Sequence, residues 1–289
     1  MGEAAGELVL ADAVAAFARA LGGRLIAAFA LGSLAHGGFS ALVSDVDVGL
    51  VLTDESGASD AEVIESITTG LRGRGTELHK RLSVFWATLS TPQDGSEGGR
   101  FPPLDRLDLI EHGRLLAGND PRILMVRPSP IDLFVAGAAF ALDFLAGEQD
   151  DHAPGLARLG SMSPGDDSVA RQLRDPALLV AQGPRRVTKL VLFPVRFLFT
   201  AETGQVGTNA LAVEHFLADA GAPAKELVAA AMGWRLTAPD DAPQAEALLG
   251  RGLIPLYRYF IEDHLERLAS MGQTDLADRY EKWQARLLA

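Results

Sequence analysis

Between Leu31 and Val48 the chain reads Leu-Gly-Ser-Leu-Ala-His-Gly-Gly-Phe-Ser-Ala-Leu-Val-Ser-Asp-Val-Asp-Val. One residue separates Asp45 from Asp47, so on a strand both side chains project from the same face, a few ångströms apart. Carboxylates that close repel each other unless a cation sits between them. A hard divalent ion with oxygen ligands suits that position, and Mg²⁺ typically combines one or two carboxylates with substrate phosphates. Eleven residues separate Asp45 from Gly32-Ser33, where a strand ends and a helix could begin. Backbone N–H groups at such a turn attract phosphate oxygens; Gly32 allows close approach and Ser33 adds a hydroxyl donor. A phosphate cradle followed by Asp-x-Asp suits metal-assisted phosphoryl or nucleotidyl transfer, where positioning and charge neutralisation supply most of the catalysis. Either half alone is commonplace: Gly-Ser is an ordinary turn, and Asp-x-Asp an ordinary solvated strand end. Their combination, between apolar strands, is what points to a function.

The elements that must hold these residues can be read from apolar spacing. Leu10, Val14, Phe17 and Leu21 recur at three to four residues, an amphipathic helix that Gly22-Gly23 stops. Leu25–Leu31 is short, apolar and bounded by glycines, which predicts a buried strand. Gly32–Ser44 reads as a connection and Asp45–Leu52 as a second strand. Ser59-Asp60-Ala61-Glu62 has capping-box spacing before a helix whose apolar face is Val63, Ile64, Ile67 and Leu71. A third strand is expected at Leu82–Thr88, with Trp86 in the core. Residues 90–103 are too rich in breakers to form an element, and Leu104–Gly118 closes the first unit. From Arg127-Pro128-Ser129-Pro130 onward the pattern is helical. Ser129 caps a helix with Pro130 at its first position and Leu133, Gly137, Phe140 and Phe144 on one stripe. Residues 149–168 read as a loop, and helices are expected near 169–181, 185–203, 209–220, 224–233, 242–270 and 274–288. The predicted class is α+β: a small mixed β-sheet domain with flanking helices over 1–126, then an all-α helical bundle over 127–289.

Composition sets limits. The 289 residues suffice for two domains, each with a core. There is no cysteine, which excludes disulfides, thiolate metal sites and cysteine nucleophiles and suits a cytoplasmic protein. A net charge of −12 argues against an extensive nucleic-acid surface. No apolar run approaches the roughly 20 residues that a membrane span needs, and the start Met1-Gly2-Glu3 lacks the basic character of a signal peptide.

The Gly-Ser, spacer, Asp-x-Asp pattern resembles the nucleotidyltransferases of the DNA polymerase β superfamily. In its Leu-Gly-Ser-x-Ala-x-Gly-x-x-Ser-x-x-x-Ser-Asp-x-Asp form it is most similar to the aminoglycoside adenylyltransferases that modify streptomycin and spectinomycin. Glu111–Gly118 resembles the segment that closes the catalytic domain of that family. Thr188–Phe199 with Thr203-Gly204 resembles a helix and turn of its C-terminal domain. The resemblance implies that Gly32 and Ser33 bind the triphosphate of ATP or another NTP, and that Asp45 and Asp47 are catalytic and hold Mg²⁺. It further implies that Arg196 reaches the nucleotide phosphates; its plainer reading is a surface arginine beside a helix end.

Two departures matter. Aligning Arg81–Trp86 with the family's next strand puts Ser83 where a third carboxylate, the catalytic base, is expected. Serine cannot accept a proton near neutral pH, so Glu77, Asp105 or Asp108 would have to substitute, and Asp108 is the residue assigned to catalysis. Asp105 and Asp108, three apart, share a face if helical, and an exposed charged face is their alternative reading. Ten and fourteen residues before Arg196, where the resemblance implies acids gripping a cationic drug, stand Arg186 and Gln182, with Arg185 adjacent and Asn209 replacing a lysine. A guanidinium there repels an aminoglycoside; Arg185 and Arg186 could meet phosphates or an anionic acceptor, or simply start a solvated helix. His36 reads as a packing or loop residue. The expected activity is therefore transfer of a nucleoside monophosphate from an NTP to an acceptor hydroxyl with pyrophosphate release. The acceptor is open between a small molecule, tRNA and a protein. The alternatives are a nucleotide-binding regulator or degenerate enzyme, and a toxin-type enzyme modifying tRNA or protein.

Overall fold

The structure is a computed structural model that describes residues 2–54, 58–89, 99–147 and 167–288. They form two compact units, the first ending at Pro128 and the second beginning at Ser129. The first contains helix α1 (Gly2–Leu21), strand β1 (Leu25–Leu31), a single turn α2 (Ser33–His36), β2 (Val46–Leu52), α3 (Ala58–Arg72), α4 (Glu77–Lys80), β3 (Leu82–Thr88), β4 (Gly99–Arg100), α5 (Pro103–His112) and β5 (Arg114–Gly118). The sheet has the order β4-β3-β2-β1-β5. It is mixed: β2 and β3 run parallel, joined by the α3–α4 crossover, while the other pairs are antiparallel. The class is α+β.

Period-two alternation sends the strand residues to two cores. Ala28, Ala30, Val46, Val48, Leu50, Leu82 and Val84 join Leu10, Phe17 and Ile64 in one. Ala27, Phe29, Leu31, Val51 and Phe85 join Phe101 and Leu109 in the other, beneath α5. Gly49 makes room for α5: a Cβ there would lie 3.1 Å from Leu31 and Phe101 side-chain carbons and 3.3 Å from Leu109. Asp47, between Val46 and Val48, belongs to the α5 face. Inside the first core's rim, fully buried Asp60 pairs with Arg24.

Local readings and observed elements differ in instructive places. Asp45 lies just outside β2, which starts at Val46. Ser59 sits inside α3, one residue after its start, rather than capping it. The stretch read as a loop at 90–103 lies outside the described residues up to 98; beyond that, Gly99-Arg100 pairs with Trp86-Ala87 and α5 starts at Pro103. Backbone pairing overrides composition there, because an edge strand needs only two residues of register.

The second unit is helical throughout its described residues: α6 (Pro130–Leu145), α7 (Asp167–Arg174), α8 (Pro176–Ala181), α9 (Pro184–Thr203), α10 (Asn209–Ala218), α11 (Lys225–Trp234), α12 (Ala242–Ser270) and α13 (Thr274–Leu288). Ser129 caps α6, as its sequence predicts, and Asp132 completes a reciprocal capping box there. The single helix expected at 169–181 is two, because Asp175 caps a new helix whose first residue is Pro176. The loop expected at 149–168 lies outside the described residues up to 166. Tyr257, Phe260, Tyr280 and Trp283 anchor the core, with the Tyr257 and Tyr280 hydroxyls donating to the carbonyls of Leu190 and Ala138.

Candidate functional site

β1 delivers the chain to Gly32, which has φ +59° and ψ −146°, a conformation essentially restricted to glycine. A side chain is excluded for a second reason: a Cβ there would lie 2.6 Å from Asp47 Oδ2. The bare Cα thus leaves the space in which the Asp47 carboxylate sits. On the other side, the Gly32 N–H donates to Asp108 Oδ2 at 2.6 Å, across 76 residues of sequence. Asp47 and Asp108 therefore meet at one glycine, with Ser33 following at the start of α2. Asp108 is buried at 7 % exposure, and its Oδ1 is buried without a hydrogen-bond partner.

The loop entering β2 is folded by its own serines. Ser44 Oγ accepts from Ser40 N, Ser40 Oγ accepts from Leu42 N, and Ser44 N donates to the Ser40 carbonyl. Arg81 clamps the outside, donating to the carbonyls of Ala41 and Leu42, while Val46 N donates to the Arg81 carbonyl. Both serines are buried, so two polar residues of the motif position half-buried Asp45. His36, on α2, meets His112 edge-on at 5.8 Å.

Parallel register sets Asp47 directly beside Ser83, which is 4 % exposed. Of the acids considered as substitutes, Glu77 is turned outward, ion-paired with Lys80 at 2.5 Å, an interaction that lowers its pKa. Asp105 and Asp47 both act on the charge of Arg100. Of these three, Asp108 is held at the Gly32 turn by its bond to the Gly32 N–H. Sequence reasoning missed Arg100, which was placed in a breaker-rich loop. Burial pushes its guanidinium below the ordinary range, against the pull of Asp105 and Asp47, and its Nε and Nη2 have no hydrogen-bond partner. It also lies over the Phe85 ring, 5.1 Å from the centroid. Its signal was the lone cation beside the apolar Phe101.

In the second unit, Arg196 Nε donates to the Gly207 carbonyl, and its guanidinium lies 5.5 Å from the Phe193 centroid. Gly207 is needed for that approach, since a Cβ would come within 2.7 Å of the Arg196 carbonyl oxygen. Arg186 is buried and donates through Nε to Gln172 at 2.8 Å. Burial, and secondarily Arg185, push the Arg186 pKa down, against the pull of Tyr257.

Asp45 and Asp47 carry hard oxygen donors that could hold a cation, and the bare Gly32 Cα leaves room for the Asp47 carboxylate. Among the described residues, no group of three or more His, Asp or Glu side chains is arranged to hold a metal ion. Two carboxylates suit an ion that takes its remaining ligands from phosphate and water, as Mg²⁺ does.

No protein-family model matches the chain, and no curated protein matches it. Among solved structures it is similar to spectinomycin adenyltransferase AAD(9) from Enterococcus faecialis, crystallised with ATP and spectinomycin. The identity is 12 %, the TM-score 0.55, and the match covers 84 % of this chain and 98 % of that one. At that identity what the two share is the fold.

Proposed function

We propose that this chain is a Mg²⁺-dependent nucleotidyltransferase that moves a nucleoside monophosphate from an NTP to an acceptor hydroxyl. The observation that carries the reading is the meeting of Asp47 and Asp108 at Gly32. In the reaction an acceptor oxygen bonds to the α-phosphorus, the α–β anhydride bond breaks, and pyrophosphate leaves. Gly32 and Ser33 form the turn that takes the triphosphate, with the Ser33 hydroxyl as donor, because the Gly32 N–H is engaged by Asp108. Asp45 and Asp47 hold Mg²⁺, which when bound neutralises phosphate charge and polarises the phosphoryl oxygens. Asp108 takes the acceptor proton on Oδ1, since Oδ2 is engaged by Gly32. The assignment of Arg196 to the nucleotide phosphates rests on the family resemblance. ATP as the nucleotide is supported by the ligand of the solved neighbour.

Titrating ATP with and without Mg²⁺ tests this in the wild type and in the double variant Asp45→Asn, Asp47→Asn. The Mg²⁺-dependent part of binding disappears in the variant; unchanged binding would refute the metal role. A second reading has its own observation: Ser83, not a carboxylate, stands beside Asp47. On that reading the chain binds nucleotide without turnover, and pyrophosphate release that depends on Asp108 counts against it.

A further inference from the structure

At the edge of the five-stranded sheet, the Arg100 guanidinium is held by its flat face and by nothing in its plane. It lies over the Phe85 ring, 5.1 Å from the centroid. That contact uses the π-face of the group and leaves its N–H donors, which lie in the plane, unspent. On the edge formed by Nε and Nη2, both nitrogens are buried and neither has a hydrogen-bond partner. Burial pushes the guanidinium below its ordinary range and Arg72 adds to that; the pull of Asp105, Asp47 and Glu65 does not offset the two. Attraction at a distance leaves the N–H groups unsatisfied, and a folded chain ordinarily buries arginine only with a partner.

Position says what the missing partner is. Asp47, Ser83 and Phe85 point to one face, because parallel neighbours in register and residues two apart do so. Phe85 is two residues, about 7 Å, along β3 from Ser83, the neighbour of Asp47. The cation above Phe85 therefore borders the aspartate site, close enough for Asp47 to act on its charge. The order β4-β3-β2-β1 puts Arg100 and the Gly32–Ser33 turn on opposite sides of Asp47. Their strands are three spacings, about 14 Å, apart, so a phosphate held at the turn and one held by Arg100 are different groups. Two parallel N–H groups on one guanidinium edge match two phosphate oxygens.

We propose that Arg100 binds a phosphate group of a reactant on the side of Asp47 remote from the Gly32–Ser33 turn. Arg100 as a whole is partly exposed, so turning the guanidinium off Phe85 presents its Nε–Nη2 edge to the arriving phosphate. The assignment rests on the nucleotidyl transfer proposed above. The phosphate is either one of the NTP's own or one carried by the acceptor.

Equilibrium dialysis of the intact protein with ATP plus Mg²⁺ and, separately, with glycerol 3-phosphate tests it. The proteins compared are the wild type, Arg100→Met, Arg100→Lys, and the Asp45→Asn, Asp47→Asn double variant. At least one probe binds the wild type, and Arg100→Met weakens that binding about tenfold or more. Arg100→Lys, which keeps the charge without the fork, recovers part of it. Weakened ATP binding identifies a phosphate of the NTP; weakened glycerol 3-phosphate binding alone identifies a phosphorylated acceptor. Melting separates this role from a structural one. Arg100→Met removes two unpartnered buried N–H groups and keeps a straight apolar side chain over Phe85, so its melting temperature is unchanged or higher. The inference fails if neither probe binds, if Arg100→Met binds both like the wild type, or if it melts below the wild type. Failure of the nucleotidyl-transfer reading shows separately, as ATP binding indifferent to the aspartates whatever the Arg100 variants do.

Discussion

Gly32 carries two requirements that no other residue meets: a backbone conformation closed to side chains, and an empty Cβ position beside Asp47 Oδ2. Gly32→Ala therefore strains the turn by about 1–3 kcal/mol and displaces the Asp47 carboxylate. Its expected signature is a lowered melting temperature together with lost Mg²⁺-dependent ATP binding. Asp108→Asn separates two roles of one carboxylate. The amide oxygen can still accept from Gly32 N, so ATP binding persists, whereas the proton acceptor is gone. On the proposed mechanism kcat falls about 10²–10⁴-fold with KM for ATP nearly unchanged, measured by pyrophosphate release. Asp45, Asp47 and Asp108 were all visible as candidates in the sequence, because acid spacing survives in the linear text. Asp108 was preferred to Glu77 and Asp105 from the sequence alone; its hydrogen bond to Gly32 N was not legible there, since it depends on which way the side chain leaves its helix. Arg100 was passed over because it lies on a two-residue strand that exists only through pairing with β3.

Elements translate local chemistry into aim. The segment before β2 read as a plain connection, yet its serines build the turn that leads into Asp45. Ser44→Ala strips the Ser40 N–H of its acceptor in a buried place, costing about 1–3 kcal/mol, and should weaken Mg²⁺-dependent ATP binding along with stability in a denaturant titration. Further along, α12 buries His264 at 1 % exposure among Phe134, Phe260 and Tyr280, beside Asp263. Desolvation lowers its pKa, despite the opposing pull of Asp263. The folded state thus binds its proton less readily than the unfolded chain, whose histidine titrates near 6.5. Its contribution to stability is present above about pH 6.5 and is lost as pH falls from there through the folded pKa. Melting curves between pH 7.5 and 5.5 should show a decline in the wild type that is shallower in His264→Leu. Helix spans such as 242–270 were legible from apolar periodicity and caps; the aromatic cage around His264 was not, because its members come from α6, α12 and α13.

At the scale of the whole chain, one unit packs two cores against the faces of a five-stranded sheet and the other packs a single helical core. Among the described residues no helix is long and apolar enough to cross a membrane. We propose that the units are separate folding domains, a division the change to helical periodicity near Arg127 already suggests. Expressed separately, residues 1–128 and 129–289 should each melt cooperatively by circular dichroism; a piece that stays unfolded would refute independence. Apolar alternation, helical stripes, caps and breakers depend on neighbours within a few residues, so the order of elements, the α+β class and the Gly-Ser/Asp-x-Asp candidates could be read directly. The bond from Gly32 to Asp108, the register that sets Ser83 beside Asp47, and the rings facing each other across α6 and α9 join residues far apart along the chain. No local preference encodes such contacts, which arise only when burying two apolar faces brings distant segments together.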